Sequence, residues 1–111
     1  MEQWTLKLSE QPDVVVDCCD NLEFTQQLQP DSVKLVITSP PYNIGKAYER
    51  RKGLDAYVES QARVIAECAR LLHPQGSICW QVGNHIAEDG EVVPLDIVLY
   101  DLFKQQGLKL R

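Results

Sequence analysis

Apolar residues along the chain fall into short runs separated by longer stretches with helical spacing. Val14-Val15-Val16, between Pro12-Asp13 and Asp17, is a β-branched run that reads as a buried strand. Asp20 and Asn21 offer capping side chains for a helix over Leu22 to Leu28, with Leu22, Phe24 and Leu28 as its apolar positions. Pro30-Asp31 marks a turn, and Val33 to Thr38 reads as a second buried strand. After Tyr42 the chain turns polar and basic and reads as a loop. From Leu54 to Leu72 the residues Leu54, Tyr57, Val58, Ala62, Ile65, Ala69 and Leu72 recur at helical spacing and predict the longest helix. Asp55 lies in its first turn, and His73-Pro74-Gln75-Gly76 ends it. Ser77 to Val82 is a third strand bounded by Gly83-Asn84, and Glu88-Asp89-Gly90-Glu91 is an acidic loop. Pro94 to Gln106 is a last helix, with Ile97, Val98, Leu102 and Phe103 as its apolar face. Gly107 ends it, and Leu108 to Arg111 reads as the opening of a further strand.

Strands and helices therefore alternate, which predicts an α/β fold: a mostly parallel sheet with flanking helices. In such sheets ligands bind at the carboxyl ends of the strands. Asp17 to Asp20, Ser39 to Tyr42 and Gly83-Asn84 fall at those ends.

Composition narrows the picture modestly. The chain has 111 residues, 44% of them hydrophobic and 24% charged, which fits one domain with a core. It contains no run of about 20 apolar residues, so no membrane-spanning helix is expected. The polar, acidic N-terminus has no signal-like apolar segment, and a cytoplasmic location is expected. Cys18, Cys19, Cys68 and Cys79 form no C-x-x-C pair, so they read as buried or half-buried thiols and no metal site is expected. His73 reads as part of a helix terminator and His85 as a surface residue. The net charge of −5 argues against a nucleic-acid partner unless the basic surface is local. Lys46, Arg50, Arg51 and Lys52 form one such cluster, either a solvated loop or a set of phosphate contacts.

The segment Ser39-Pro40-Pro41-Tyr42 carries the chemistry. Two consecutive prolines cannot donate to a sheet, so the strand stops there in a stiff turn. Their carbonyls and the Ser39 hydroxyl remain as acceptors for a group with two N–H donors, such as an exocyclic amine. Tyr42 adds an aromatic face on which a planar ring can stack. Cytosine and adenine have both features, and in a duplex either would have to be flipped out to enter.

Thr38-Ser39-Pro40-Pro41-Tyr42-Asn43-Ile44-Gly45-Lys46 resembles the catalytic motif of S-adenosylmethionine-dependent DNA amino-methyltransferases, which form N6-methyladenine or N4-methylcytosine. Asp31 to Ile37 resembles that family's lead into the catalytic strand, and Arg70 to Ser77 its helix end and next strand, with Gly83-Asn84 following. The resemblance implies a partial Rossmann-like methyltransferase sheet. It assigns Ser39 and the Pro40 carbonyl to the target amine, within a catalytic motif that also includes Pro41, and gives Tyr42 the flipped base. It places Asp20, then Asp17, and also Ser39, near the cofactor, while Asp20 also reads as a helix cap. Asn43 and the basic cluster from Lys46 to Lys52 would face DNA. Serine before the proline pair leans toward cytosine by the same resemblance.

One departure stands out. The family's glycine-rich cofactor loop is not matched by any of the six glycines, none of which forms G-x-G. In the permuted subgroup that begins near the proline motif, that loop and the target-recognition region follow later in the chain. Residues 1–111 are therefore expected to be the catalytic-side portion of a methyltransferase domain. A complementing fragment, self-association through an exposed edge, or a non-catalytic Rossmann-like remnant are the readings this leaves open.

Overall fold

The strand expected over Val33 to Thr38 forms there as β3 (Val33–Thr38) and pairs in parallel with the strand reached after the long helix. The computed structural model describes residues 5–7, 13–41 and 53–111. In chain order its elements are β1 (Thr5–Lys7), β2 (Val15–Asp17), α1 (Asn21–Thr25), β3, α2 (Leu54–Leu71), β4 (Leu72–Trp80), β5 (Asn84–Ile86), β6 (Val92–Pro94) and α3 (Leu95–Gln105). The β3–α2–β4 crossover is the parallel unit that alternation implied, and the class is α/β.

The junction between α2 and β4 shows why a helix can run straight into a strand. Leu72 caps α2 in extended geometry, and the register shifts between Val33, opposite Leu72, and Leu35, opposite Ser77. The His73 to Gly76 segment absorbs that shift, with the Gln75 amide donating to His73 Nδ1 at 3.0 Å. A Cβ on Gly76 would meet Leu72 Cδ1 at 2.8 Å and the His73 carbonyl at 3.0 Å, so only glycine fits without rearrangement. Beyond it, Val36, Ile37 and Thr38 run beside Ile78, Cys79 and Trp80.

Both helices bury one stripe. Tyr57, Leu95 and Leu99 form a core between α2 and α3, with Leu54, Val58, Trp80, Val82, Leu102 and Phe103 packed around it. Trp80 and Phe103 meet edge to face, ring centroids 5.6 Å apart. Farther along α2, Ile65, Cys68 and Leu71 are buried. Burial pushes the Cys68 thiol above its ordinary range, aided by the negative charge of Glu67, which keeps it protonated.

Several expectations change. β2 is exposed rather than buried, and it pairs antiparallel with β1 instead of joining β3 and β4. The acidic loop is the tip of a hairpin, β5 against β6, closed by the Ala87 amide to the Glu91 carbonyl and by Gly90 at φ 88°. Ile97, expected inside, is 70% exposed, and the inward residues of α3 are Leu95 and Leu99. His85 is buried within the hairpin, and Cys79 is exposed. Leu108 to Arg111 forms no strand.

Helix α1 is shorter than expected but starts where the sequence indicated, with Asp20 Oδ1 accepting from the Leu22 amide at 2.9 Å. Arg70 docks it onto α2: its guanidinium donates to the carbonyls of Thr25 and Leu28 and forks onto Glu67, at 2.7 and 3.1 Å. The hydrogen bond from Arg70 holds the Glu67 carboxyl below its usual range, against a smaller opposing effect of burial. A carboxylate depressed in the folded state adds stability above its unfolded range and loses it as pH falls through the folded value. The pair is surface-lying, so that contribution is small and screened by salt. Arg70→Gln should shift the Glu67 titration back upward, as followed by the carboxyl carbon signal in a pH series.

Candidate functional site

The β3–β4 ladder ends at Thr38 opposite Trp80, and one more bond, from the Gln81 amide to the Thr38 carbonyl at 3.0 Å, holds the two exits side by side. From there Ser39-Pro40-Pro41 leaves β3 and Gln81-Val82-Gly83 leaves β4. A cleft of about 580 Å³ opens between them. Ile37, Thr38 and Ser39 form one wall, Cys79 through Val82 the other, and Asp96 at the start of α3 closes one side. Its size is that of a small-molecule site, and its place is the carboxyl edge of a parallel pair, where such folds bind ligands.

Ser39 is exposed at this cleft, Pro40 is half-buried and Pro41 is exposed. The expectation for Ser39 at a strand end is therefore met in position. Tyr42, Asn43, Lys46, Arg50, Arg51 and Lys52 lie outside the described residues. Asp20 is engaged as the cap of α1. Asp17, at the end of β2, has a buried Oδ1 without a hydrogen-bond partner among the described residues. Neither aspartate lines the cleft at Ser39. Among the described residues no cluster of His, Cys, Asp and Glu could hold a metal, and no helix is long and apolar enough to cross a membrane.

Four features of the site are not evident from sequence. Trp80, Gln81 and Val82 read only as strand, although the strand's carboxyl end is the place to look. Asp96 sits in the first turn of α3, where an acidic residue is ordinary. Trp80 Nε1 is buried with no partner among the described residues. Tyr57 reads as one apolar position of α2, yet its hydroxyl donates to the Pro41 carbonyl at 2.7 Å. A tyrosine, rather than phenylalanine, on a core stripe is the available signal, because a buried phenol seeks an acceptor.

Comparison with known proteins agrees with this geometry. The N6/N4 DNA methylase family model matches residues 33–110. The chain is 40% identical over 89 residues to the type II methyltransferase M.BglII of Bacillus subtilis, a match covering 80% of the chain and 25% of that protein. It is 38% identical over 65 residues to the DNA adenine methyltransferase YhdJ of Escherichia coli (strain K12), covering 53% of the chain and 21% of that protein. Its fold superposes on TTHA0409 of Thermus thermophilus, solved in complex with S-adenosyl-L-methionine, with TM-score 0.62, 29% identity and coverage of 78% of this chain and 38% of that one. The chain thus spans about a quarter of the length of the first of these relatives. With the proline turn on the rim of the cleft and the family match running from β3 almost to the last residue, the chain belongs to the N6/N4 DNA methylase family.

Proposed function

We propose that the chain is the catalytic-side portion of a methyltransferase domain that moves a methyl group from S-adenosylmethionine to an exocyclic amine of DNA, N4 of cytosine or N6 of adenine, in a restriction-modification setting in the cytoplasm. The observation that carries this reading is Ser39, followed by two prolines, on the wall of a cleft at the carboxyl end of a parallel pair. The cleft has room for a planar base, and the turn presents acceptors that an amine needs. The Ser39 hydroxyl and the Pro40 carbonyl accept the two amine N–H bonds, which turns the nitrogen lone pair outward. When bound, the cofactor supplies an electrophilic methyl sulfonium. That methyl would pass to the amine nitrogen as the S–CH3 bond is given up, and one of the amine protons, already held by the Ser39 hydroxyl or the Pro40 carbonyl, would leave to solvent. These residues act through position and charge compensation, without a covalent protein intermediate.

The orphan Asp17 Oδ1 fits a cofactor amine or hydroxyl as donor, and this makes Asp17 a stronger candidate than Asp20, whose carboxylate caps α1. Tyr42 would stack on the flipped base, and Asn43, Lys46, Arg50, Arg51 and Lys52 would meet DNA. The outward face of β3 leaves Leu35 and Ile37 53% and 72% exposed, an apolar surface suited to a complementing part of the same domain or, failing that, to self-association.

Calorimetry and a methyl-transfer assay test this together. The chain alone should bind S-adenosylmethionine no tighter than about 1 µM, roughly −8 kcal/mol. Joined to a polypeptide supplying the remainder of the relatives' fold, it should bind more tightly and methylate DNA. Tight binding by the lone chain would overturn the proposal that it is a portion of the site. Absence of transfer in a folded, complemented form would leave a non-catalytic Rossmann-like module instead.

A further inference from the structure

The Tyr57 hydroxyl reaches the last residue of the proline turn, whose ψ the sequence leaves loose. Prolines fix φ at positions 40 and 41. A following proline also restricts the residue before it, which confines ψ at Ser39 and Pro40. The peptide planes are rigid. Pro41 is followed by Tyr42, not by proline, so two soft torsions remain in Ser39-Pro40-Pro41: φ of Ser39 at its entry and ψ of Pro41 at its exit. The latter sets where the Pro41 carbonyl points and the direction in which the chain leaves toward residue 42. The carbonyl is held at 2.7 Å by the hydroxyl of a side chain only 3% exposed, itself part of the core with Leu95 and Leu99. The Tyr57 amide also bonds to the Gly53 carbonyl at 3.0 Å. One residue therefore ties down both described ends of the segment 42–52.

We propose that Tyr57 is a positioning residue that clamps the Pro41 end of the stiff proline turn, whose other end is held by the β3 ladder, so that the turn cannot swing about φ of Ser39 and both Ser39 and the Pro40 carbonyl keep a fixed aim at the target amine. The functional half of this inference rests on the methyltransferase reading. The clamp itself does not, and it acts through Pro41 without touching substrate.

Tyr57→Phe removes the hydroxyl and keeps the ring in the core. In the 111-residue chain labelled with 13C at the Pro41 carbonyl, the variant should shift that carbon's signal upfield while signals from α3 and β4 stay in place. In a complemented form that methylates DNA, the variant should lower kcat about two- to tenfold, the span of one ordinary net hydrogen bond, with affinity for S-adenosylmethionine unchanged. A purely structural tyrosine would instead lower thermal stability and leave both the split between kcat and affinity and the Pro41 carbonyl signal as they were. An unmoved carbonyl signal in a folded variant overturns the clamp. Should the variant fail to fold, the parent chain decides: a Tyr57 hydroxyl proton in slow exchange, cross-relaxing with Pro41 Hα, supports the clamp, and a rapidly averaged one overturns it. A clamp seen by these signals in a complemented form that transfers no methyl group leaves the inference about Tyr57 and Pro41 standing and sinks the proposed function.

Discussion

Ser39→Ala should lower methyl transfer by on the order of 100- to 1000-fold in a complemented, active form, with folding nearly unaffected. The serine is exposed on the cleft wall at the end of β3, so removing its hydroxyl opens no cavity in the core. On the proposed reading, what is lost is one acceptor for the reacting amine. Losing a single preorganised hydrogen bond at a developing charge costs about 2.7–4 kcal/mol. The loss should fall on kcat, because the bond matters most when the nitrogen lone pair is turned toward the methyl group. Tyr42→Ala provides the contrast: it removes a stacking face and should weaken engagement of the flipped base by about 1–3 kcal/mol, while Tyr42→Phe should be mild. Rates at saturating DNA separate the two effects. Parental rates in both alanine variants would reduce the proline turn to a strand terminator.

The position of Ser39 was legible because prolines act locally. A Pro-Pro pair cannot donate to a sheet ladder, and β3 ends at Thr38, two residues ahead of Pro40. The helical stripe of α2 was legible for the same kind of reason, since spacing alone determines which residues share a face. The cleft's second wall was not, because Trp80 to Val82 acquire their role only when β4 pairs beside β3, and no local pattern encodes that partner. Tyr57 was half legible: its place on α2 followed from periodicity, but its acceptor lies sixteen residues back. The exposure of β2 was invisible for the opposite reason. A run of three valines states a preference for extended backbone and says nothing about which strand lies next to it. Asp20 meets its cap reading, because a side chain one residue ahead of a helix finds the free amide of its first turn.

The apolar face of α3 offers the clearest energetic test of the packing. Of the expected stripe, Leu102 and Phe103 pack against the core and Val98 is half-buried, but Ile97 is 70% exposed and the stripe is centred on Leu95 and Leu99, at 0% and 1% exposure. The reason lies at the helix start. The Leu95 amide bonds to the Gly83 carbonyl at 3.2 Å, which anchors the first turn of α3 to the exit of β4 and fixes its rotation about its own axis. Leu95 then meets Tyr57, and Leu99, four residues on, lies on the same face. Leu99→Ala should therefore destabilise the fold by about 2–5 kcal/mol, the transfer cost of the lost methyl groups plus the cavity they leave. Ile97→Ala should stay within about 0.5 kcal/mol of the parent. Chemical denaturation of both variants measures the difference as a shift of midpoint at constant slope. Equal losses at the two positions would return Ile97 to the inward face that periodicity alone suggested. That would also detach the Tyr57 ring from its packing partner, and with it the support that holds the phenol against Pro41.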